Sequence, residues 1–230
     1  MAIRPIYISK KNSVGVTQKD IDFEWFPGFA KIQKQKSFNA LHNEANKKGI
    51  KNILEISSAS DIELGFNLSA FNLVITTKKY KNKFTVETAF QGSKVFEKGG
   101  PYIDLFGMDS RAAKKDQRLR TSGLLVKFQF FNQDFPLEPK TFFYDWLYMN
   151  ALHQNKKYVE EIVNYDAFTD IEFNPKRSIN CQAHSAALYV SLMKNDLTEK
   201  ALSSPQKYLD VLKDHYSSQE GNIMIQESII

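Results

Sequence analysis

The chain has 230 residues, 42% of them hydrophobic and 18 of them phenylalanine, which supplies a real core and excludes a disordered or fibrous polypeptide. Its formal charge of +5 admits a polyanionic partner without requiring one. A single cysteine, Cys181, rules out an internal disulfide, and neither a signal-like N-terminus nor an apolar run near the roughly 18 residues of a membrane span occurs; a soluble, cytoplasmic protein is expected.

In chain order, IYIS (6–9) and IDFEWF (21–26) read as strands, the second followed by a Pro-Gly turn. Phe38, Leu41 and Ala45 recur at helical spacing among lysines, predicting an amphipathic helix over 30–48. NILEIS (52–57) and NLVITTK (72–78) predict strands on either side of a brief helix or turn at 58–64. A helix over 86–96 is broken by GGPY (99–102), and Asp109-Ser110 caps a helix over 109–119. A strand at 124–131 leads to a buried helix at 141–152, a helix at 156–164, a short strand at 169–173 and an Ala-rich helix at 181–193. A last helix at 204–216 precedes a tail left without assigned structure. The fold class is α+β, a single mainly helical domain with several short strands. Within it, residues 1–50 are an N-terminal extension packed on the core, 51–217 the catalytic domain and 218–230 the tail.

Several chemistries find no support. The four histidines are scattered, Cys181-x-x-His184 has no second half, and no metal or other cofactor is expected. G-x-S-x-G, G-x-G-x-x-G and P-loop patterns do not occur. The basic run Arg111, Lys114, Lys115, Arg118, Arg120 reads as a solvated helix face or as a phosphate-attracting rim.

The stretch VETAFQGSKVF (86–96) stands out. On a helix it is apolar nearly all round, yet Glu87, Gln91 and Lys94, spaced i, i+4 and i+7, share one stripe. Buried Glu and Lys are rare unless paired or functional. Either the two form a buried ion pair, or the lysine, made less basic by apolar surroundings, is a nucleophile that forms a Schiff base with a carboxylate shuttling protons beside it.

At these residues the chain resembles a known family. ETAFQGSK is similar to the E-H-x-F-Q-x-x-K signature of NADAR domains, with Glu87, Phe90, Gln91 and Lys94 on matching positions. LSAFN (68–72) resembles the S-N-F element through Ser69 and Phe71; AAKKDQR (112–118) resembles E-A-K-x-x-G-R through Ala113, Lys114 and Arg118. The stretch 151–175 ends as the family's does, placing Glu172 and Pro175 on its positions. The likeness covers roughly 55–190 and is greatest to the branch found beside DarT-type toxins. The chain departs from the family at Thr88, where a histidine is usual, at Gln117, and where D-x-x-W-G gives way to Arg177, Asn180 and Cys181.

The resemblance implies a YbiA-like fold and an enzyme acting on N-glycosidic bonds of ribosides. In the toxin-linked branch it implies removal of ADP-ribose from guanine bases in DNA, as antitoxin to a DarT-type ADP-ribosyltransferase. On that footing Lys94 is the nucleophile and Glu87 the general acid/base, with Gln91 orienting the ribose hydroxyls or the lysine. Arg118 with Lys114 meets the diphosphate, Phe71 stacks on a base, and Ser69, Glu172, Asn180 and Gln182 are further ligand contacts. Two alternatives remain open: a glycosidase of a free small riboside, and a non-catalytic protein that binds ADP-ribose or the toxin.

Overall fold

The computed structural model describes the backbone of residues 1–227 and side chains as far as 218. Strands β1 (Ala2–Ser9) and β2 (Val16–Phe23) pair antiparallel along their whole length, and alternation puts Ile6, Ile21 and Phe23 on one buried face. Helix α1 (Lys31–Lys47) lays Phe38, Leu41 and Ala45 on that face, as its spacing predicts. Strand β3 (Ile53–Glu55), helix α2 (Glu63–Asn67), and the hairpin β4 (Val74–Thr76) and β5 (Lys83–Thr85) follow. Then come α3 (Val86–Gly92), β6 (Lys94–Phe96), a 3-10 turn (Ile103–Gly107), α4 (Ser110–Lys114) and α5 (Arg118–Thr121). β7 (Leu125–Phe130) joins β6 and β8 (Gln133–Phe135) in an antiparallel three-stranded sheet. The rest is α6 (Phe142–His153), α7 (Lys156–Ile162), β9 (Ala167–Thr169), α8 (Gln182–Lys194), α9 (Thr198–Leu202) and α10 (Pro205–Glu227). This is the expected α+β architecture, and no helix among the described residues is long and apolar enough to cross a membrane.

The main sheet runs β2-β1-β9-β3, so the N-terminal fifty residues supply two of its four strands. β1 pairs with β9 only at Tyr7 and Ile8. Beyond that point Pro5 has no amide to offer a neighbour, and at Asp170 the chain turns away from the sheet. The predicted strand at 169–173 therefore ends at Thr169; Asp170 Oδ1 accepts the amides of Glu172 (2.9 Å) and Phe173 (3.2 Å), which closes a turn instead. The sheet splits there, and the gap between β1 and this turn forms part of one wall of the cleft described below. On its other face the sheet packs on α8, with Ser9 Oγ donating to the Ala187 carbonyl and Tyr7 set edge-on to His184.

α3, β7 and α6 meet in an aromatic core, where Phe128 and Phe143 stack at 4.7 Å and Phe90 packs on both. Four expectations are corrected. The helix predicted over 86–96 stops at Gly92, and Lys94–Phe96 pairs with β7 instead; residue 92 is glycine because a Cβ there would lie 2.5 Å from the Phe106 ring. GGPY therefore follows a strand and not a helix; Gly100 sits at φ +94°, and its missing side chain leaves room for the Lys94 carbonyl. The helix over 109–119 divides in two where Asp116 Oδ1 takes the Arg118 amide. The C-terminal helix runs on to Glu227, through most of the stretch expected to be a tail; residues 228–230 lie outside the described residues.

Candidate active site

Helix α3 is short, and its start is fixed on three sides. Thr85 and Thr88 close a reciprocal capping box, which gives the residue standing where the family has histidine a structural task. The Val86 amide donates to the Leu73 carbonyl and the Glu87 amide to that of Ala70, both at 2.9 Å. The Ala70 amide in turn donates to Gln182 Oε1 (2.7 Å), whose Nε2 donates to the Ile56 carbonyl (2.7 Å). Gln182, read from sequence as a ligand contact, thus spends both ends of its amide clamping segments 56 and 70 to α8.

From this anchored helix Glu87 and Gln91, only 5% and 7% exposed, face a cleft of about 1100 Å³. Gln91 Nε2 donates to Glu87 Oε1 (2.9 Å), and Lys94 Nζ donates to Gln91 Oε1 (2.7 Å). The amide has one orientation that suits both neighbours, with its oxygen toward the ammonium and its nitrogen toward the carboxylate. No ion pair joins Glu87 to Lys94. The stripe expected from helical spacing survives the change of element because Lys94 reaches back from β6. Lys94 Nζ lies 4.9 Å from the Phe90 ring centre. Lys114 Nζ stands 3.6 Å from Glu87 Oε1 and 5.0 Å from the Phe71 ring centre.

Burial lowers the Lys94 ammonium from its ordinary 10.5 to about 8; the Glu87 charge opposes that fall and the Lys114 charge adds to it. Across the cleft, Asp170 is held well above the ordinary carboxylate range, first by burial and then by the charges of Glu55 and Glu172. The Tyr144 hydroxyl is raised by burial and by Glu87. The arrangement offers a weakly basic amine, a carboxylate one amide away, and polar walls around a space that admits a nucleotide-sized ligand.

The family model of the DarT1-associated NADAR antitoxins matches residues 2–222. The chain belongs to that family. It is therefore a NADAR antitoxin paired with a DarT-type toxin, of a class generally hydrolytic toward N-glycosidic bonds. No curated protein matches the chain. The NADAR match reaches well beyond the 55–190 span of the sequence resemblance and takes in the first fifty residues, in keeping with β1 and β2 being members of the main sheet.

The cleft of this NADAR chain gathers Phe71, Glu87, Gln91, Lys94, Lys114, Glu172 and Asn180. Asn180 directly precedes Cys181, the N-cap of α8, and its buried Oδ1 has no partner among the described residues. Glu172 is tied to Lys34 and accepts from the Ser58 hydroxyl. Two expected contacts lie elsewhere. Ser69 is fully buried behind the wall, and Arg118 is outside the cleft: its guanidinium binds Asp104 (2.6 Å) and Asp116 (3.0 Å) and lies over Tyr102. Of the basic run, only Lys114 lines the cleft. Sequence reasoning missed Arg4, Trp25, Tyr144 and Asp170. Trp25, within the predicted strand 21–26 and two residues before Pro27-Gly28, was the one legible signal among them.

Proposed function

We propose that this antitoxin hydrolyses the N-glycosidic bond between ADP-ribose and guanine in DNA, with Lys94 as nucleophile. The observation that carries this reading is the Glu87–Gln91–Lys94 line: an amine of lowered basicity faces a cleft and is joined to a carboxylate only through a neutral amide. A lysine kept only as an ion-pair partner would sit directly on Glu87.

In the proposed reaction the neutral Nζ attacks the anomeric carbon as the bond to guanine breaks. The bonding pair leaves with the base, which takes a proton from solvent. Glu87 accepts a proton from the new C–N linkage and passes it to the ring oxygen as the ribose opens to a protonated imine. Water then adds to that carbon and gives a proton to Glu87, which passes it to the departing amine; ADP-ribose leaves, and its new C1 oxygen returns to solvent the proton that guanine took. The net change is addition of one water across the glycosidic bond. Gln91 keeps the lysine aimed, and Lys114 and Phe71 bind the substrate beside Glu87. Diphosphate contact falls to Lys114 and not to Arg118, whose fork is already filled. The target base must leave its stack to enter the cleft.

The test is an oligonucleotide carrying ADP-ribosylated guanine, incubated with wild type and Lys94→Ala, with borohydride in parallel samples. Adduct loss with wild type alone, together with a trapped mass on the protein, is expected. Loss that survives Lys94→Ala would remove the lysine from the chemistry. Hydrolysis of a free riboside but not of the oligonucleotide would replace the substrate.

A further inference from the structure

The cleft has a second wall that the proposed reaction does not use. It is built from β1, the segment after β2, and the turn that follows β9. Arg4 leaves β1 where β9 has turned away, and its guanidinium lies 5.2 Å from the Trp25 ring centre. One of its terminal nitrogens donates to the Ile3 carbonyl at 2.9 Å; the other donates to no described protein atom. A few residues on, Phe29 stands at the rim, 99% exposed, just after Gly28 at φ +135°. Lys140, Lys176 and Arg177, all exposed, also line the cleft and form its lips.

Three features of this wall exceed what a single bound nucleotide requires. At about 1100 Å³ the cleft passes the upper end of the range of roughly 300–1,000 Å³ usual for small-ligand sites. Among the described residues its lining carries seven basic side chains against four acidic ones, and five of the basic ones, Arg4, Lys34, Lys140, Lys176 and Arg177, stand apart from the Glu87, Lys94 and Lys114 group. An aromatic ring held in open water gains nothing by burial, but offers a face on which a splayed base stacks. Aromatic faces alternating with cations along a groove are the arrangement that binds a single polynucleotide strand whatever its sequence.

We infer that the Arg4–Trp25–Phe29 wall and the Lys140, Lys176 and Arg177 lips hold the polynucleotide strand that flanks the modified base. Phe29 stacks on a neighbouring base, Arg4, braced on Trp25, meets a backbone phosphate, and the lip cations follow the strand out of the cleft. The inference rests on the proposed reading of the site in taking a strand, and not a free riboside, as the substrate.

Its test does not depend on catalysis. Unmodified, labelled oligo-dT and oligo-rU are titrated against wild type, Phe29→Ala and Lys176→Ala/Arg177→Ala by fluorescence anisotropy at several salt concentrations, with free ADP-ribose as a parallel ligand. Phe29→Ala is expected to weaken strand binding about fivefold to a hundredfold, the range for one lost base stack. The double variant should flatten the slope of log affinity against log salt by about 1.4, two contacts at roughly 0.7 each for single strands. Weakening with either polymer supports the inference, and the two arms say whether DNA or RNA is held. Strand affinity and salt slope unchanged in both variants would overturn it. So would a loss confined to ADP-ribose, which would assign the wall to the nucleotide itself. If wild type hydrolyses no adduct yet binds strands through these residues, the proposed reaction fails and this inference stands.

Discussion

The ionisation of Lys94 gives the sharpest test of the mechanism. With its ammonium lowered from 10.5 to about 8, roughly a tenth of the side chain is free amine at pH 7, against about one part in three thousand for an unperturbed lysine. The rate of borohydride-trapped imine formation, read by intact mass at short times, should therefore climb about tenfold per pH unit up to pH 8 and level above it. The neighbours make the test directional. Glu87 opposes the depression and Lys114 adds to it. Glu87→Gln should move the limb to lower pH, and Lys114→Met should move it to higher pH. The position of the limb is readable even where the absolute rate falls, as it should in Glu87→Gln if the carboxylate shuttles protons. A rate still climbing at pH 10, or limbs that do not move in opposite directions, would refute the reasoning.

Other consequences are read more simply. Lys94→Met should stabilise the fold at neutral pH: the fall from 10.5 to about 8 corresponds to at most about 3 kcal/mol, of which about 1 is returned with the lost bond to Gln91. Between pH 8 and 10.5 the unfolded state binds more protons than the folded one, so wild-type stability should rise with pH there and the variant's should not, as urea titrations at stepped pH would record. Gln182→Leu leaves the Ala70 amide and the Ile56 carbonyl without partners and should cost about 2–4 kcal/mol in urea denaturation. Arg118→Ala should leave ADP-ribose affinity within about twofold by calorimetry, since Asp104 and Asp116 already occupy the guanidinium.

Much of this site was legible in sequence because its parts lie close together in the chain. Glu87, Gln91 and Lys94 span eight residues, and their common stripe was visible from helical spacing although the helix ends before Lys94. The longer helices α1, α6 and α8 were legible for a related reason, since periodicity needs several turns to show. Strands β5 and β8, three residues each, carry too little pattern to register. What stayed hidden depends on pairing across long separations. Nothing local in Arg4 tells that β9 will turn away at Asp170 and leave it facing a cleft. Arg118 fits the motif by its spacing, yet motif spacing is silent on the two aspartates that fill its fork. Gln182 was read as a ligand contact because it stands where the family's closing motif gives way, and only the fold shows that two backbone segments use its amide.

The glutamine between Glu87 and Lys94 decides what the lysine can be. A carboxylate and an ammonium about 4 Å apart attract by roughly 4 kcal/mol at an effective dielectric of 20, equal to about three pKa units in favour of the charged amine. The net fall, from 10.5 to about 8 with burial its largest cause, is of the same size, so direct contact would offset it and leave a nearly ordinary lysine. Gln91 passes a hydrogen bond from one group to the other while keeping the charges apart. Gln91→Ala removes that spacer without touching either ionisable group and leaves Lys94 free to close on Glu87. The imine-trapping limb should then move up from pH 8 toward the ordinary lysine value, lowering the rate at pH 7 by ten- to a hundredfold while the rate at pH 10 changes little. A variant slowed equally at every pH would show instead that Gln91 acts on the substrate and not on the lysine.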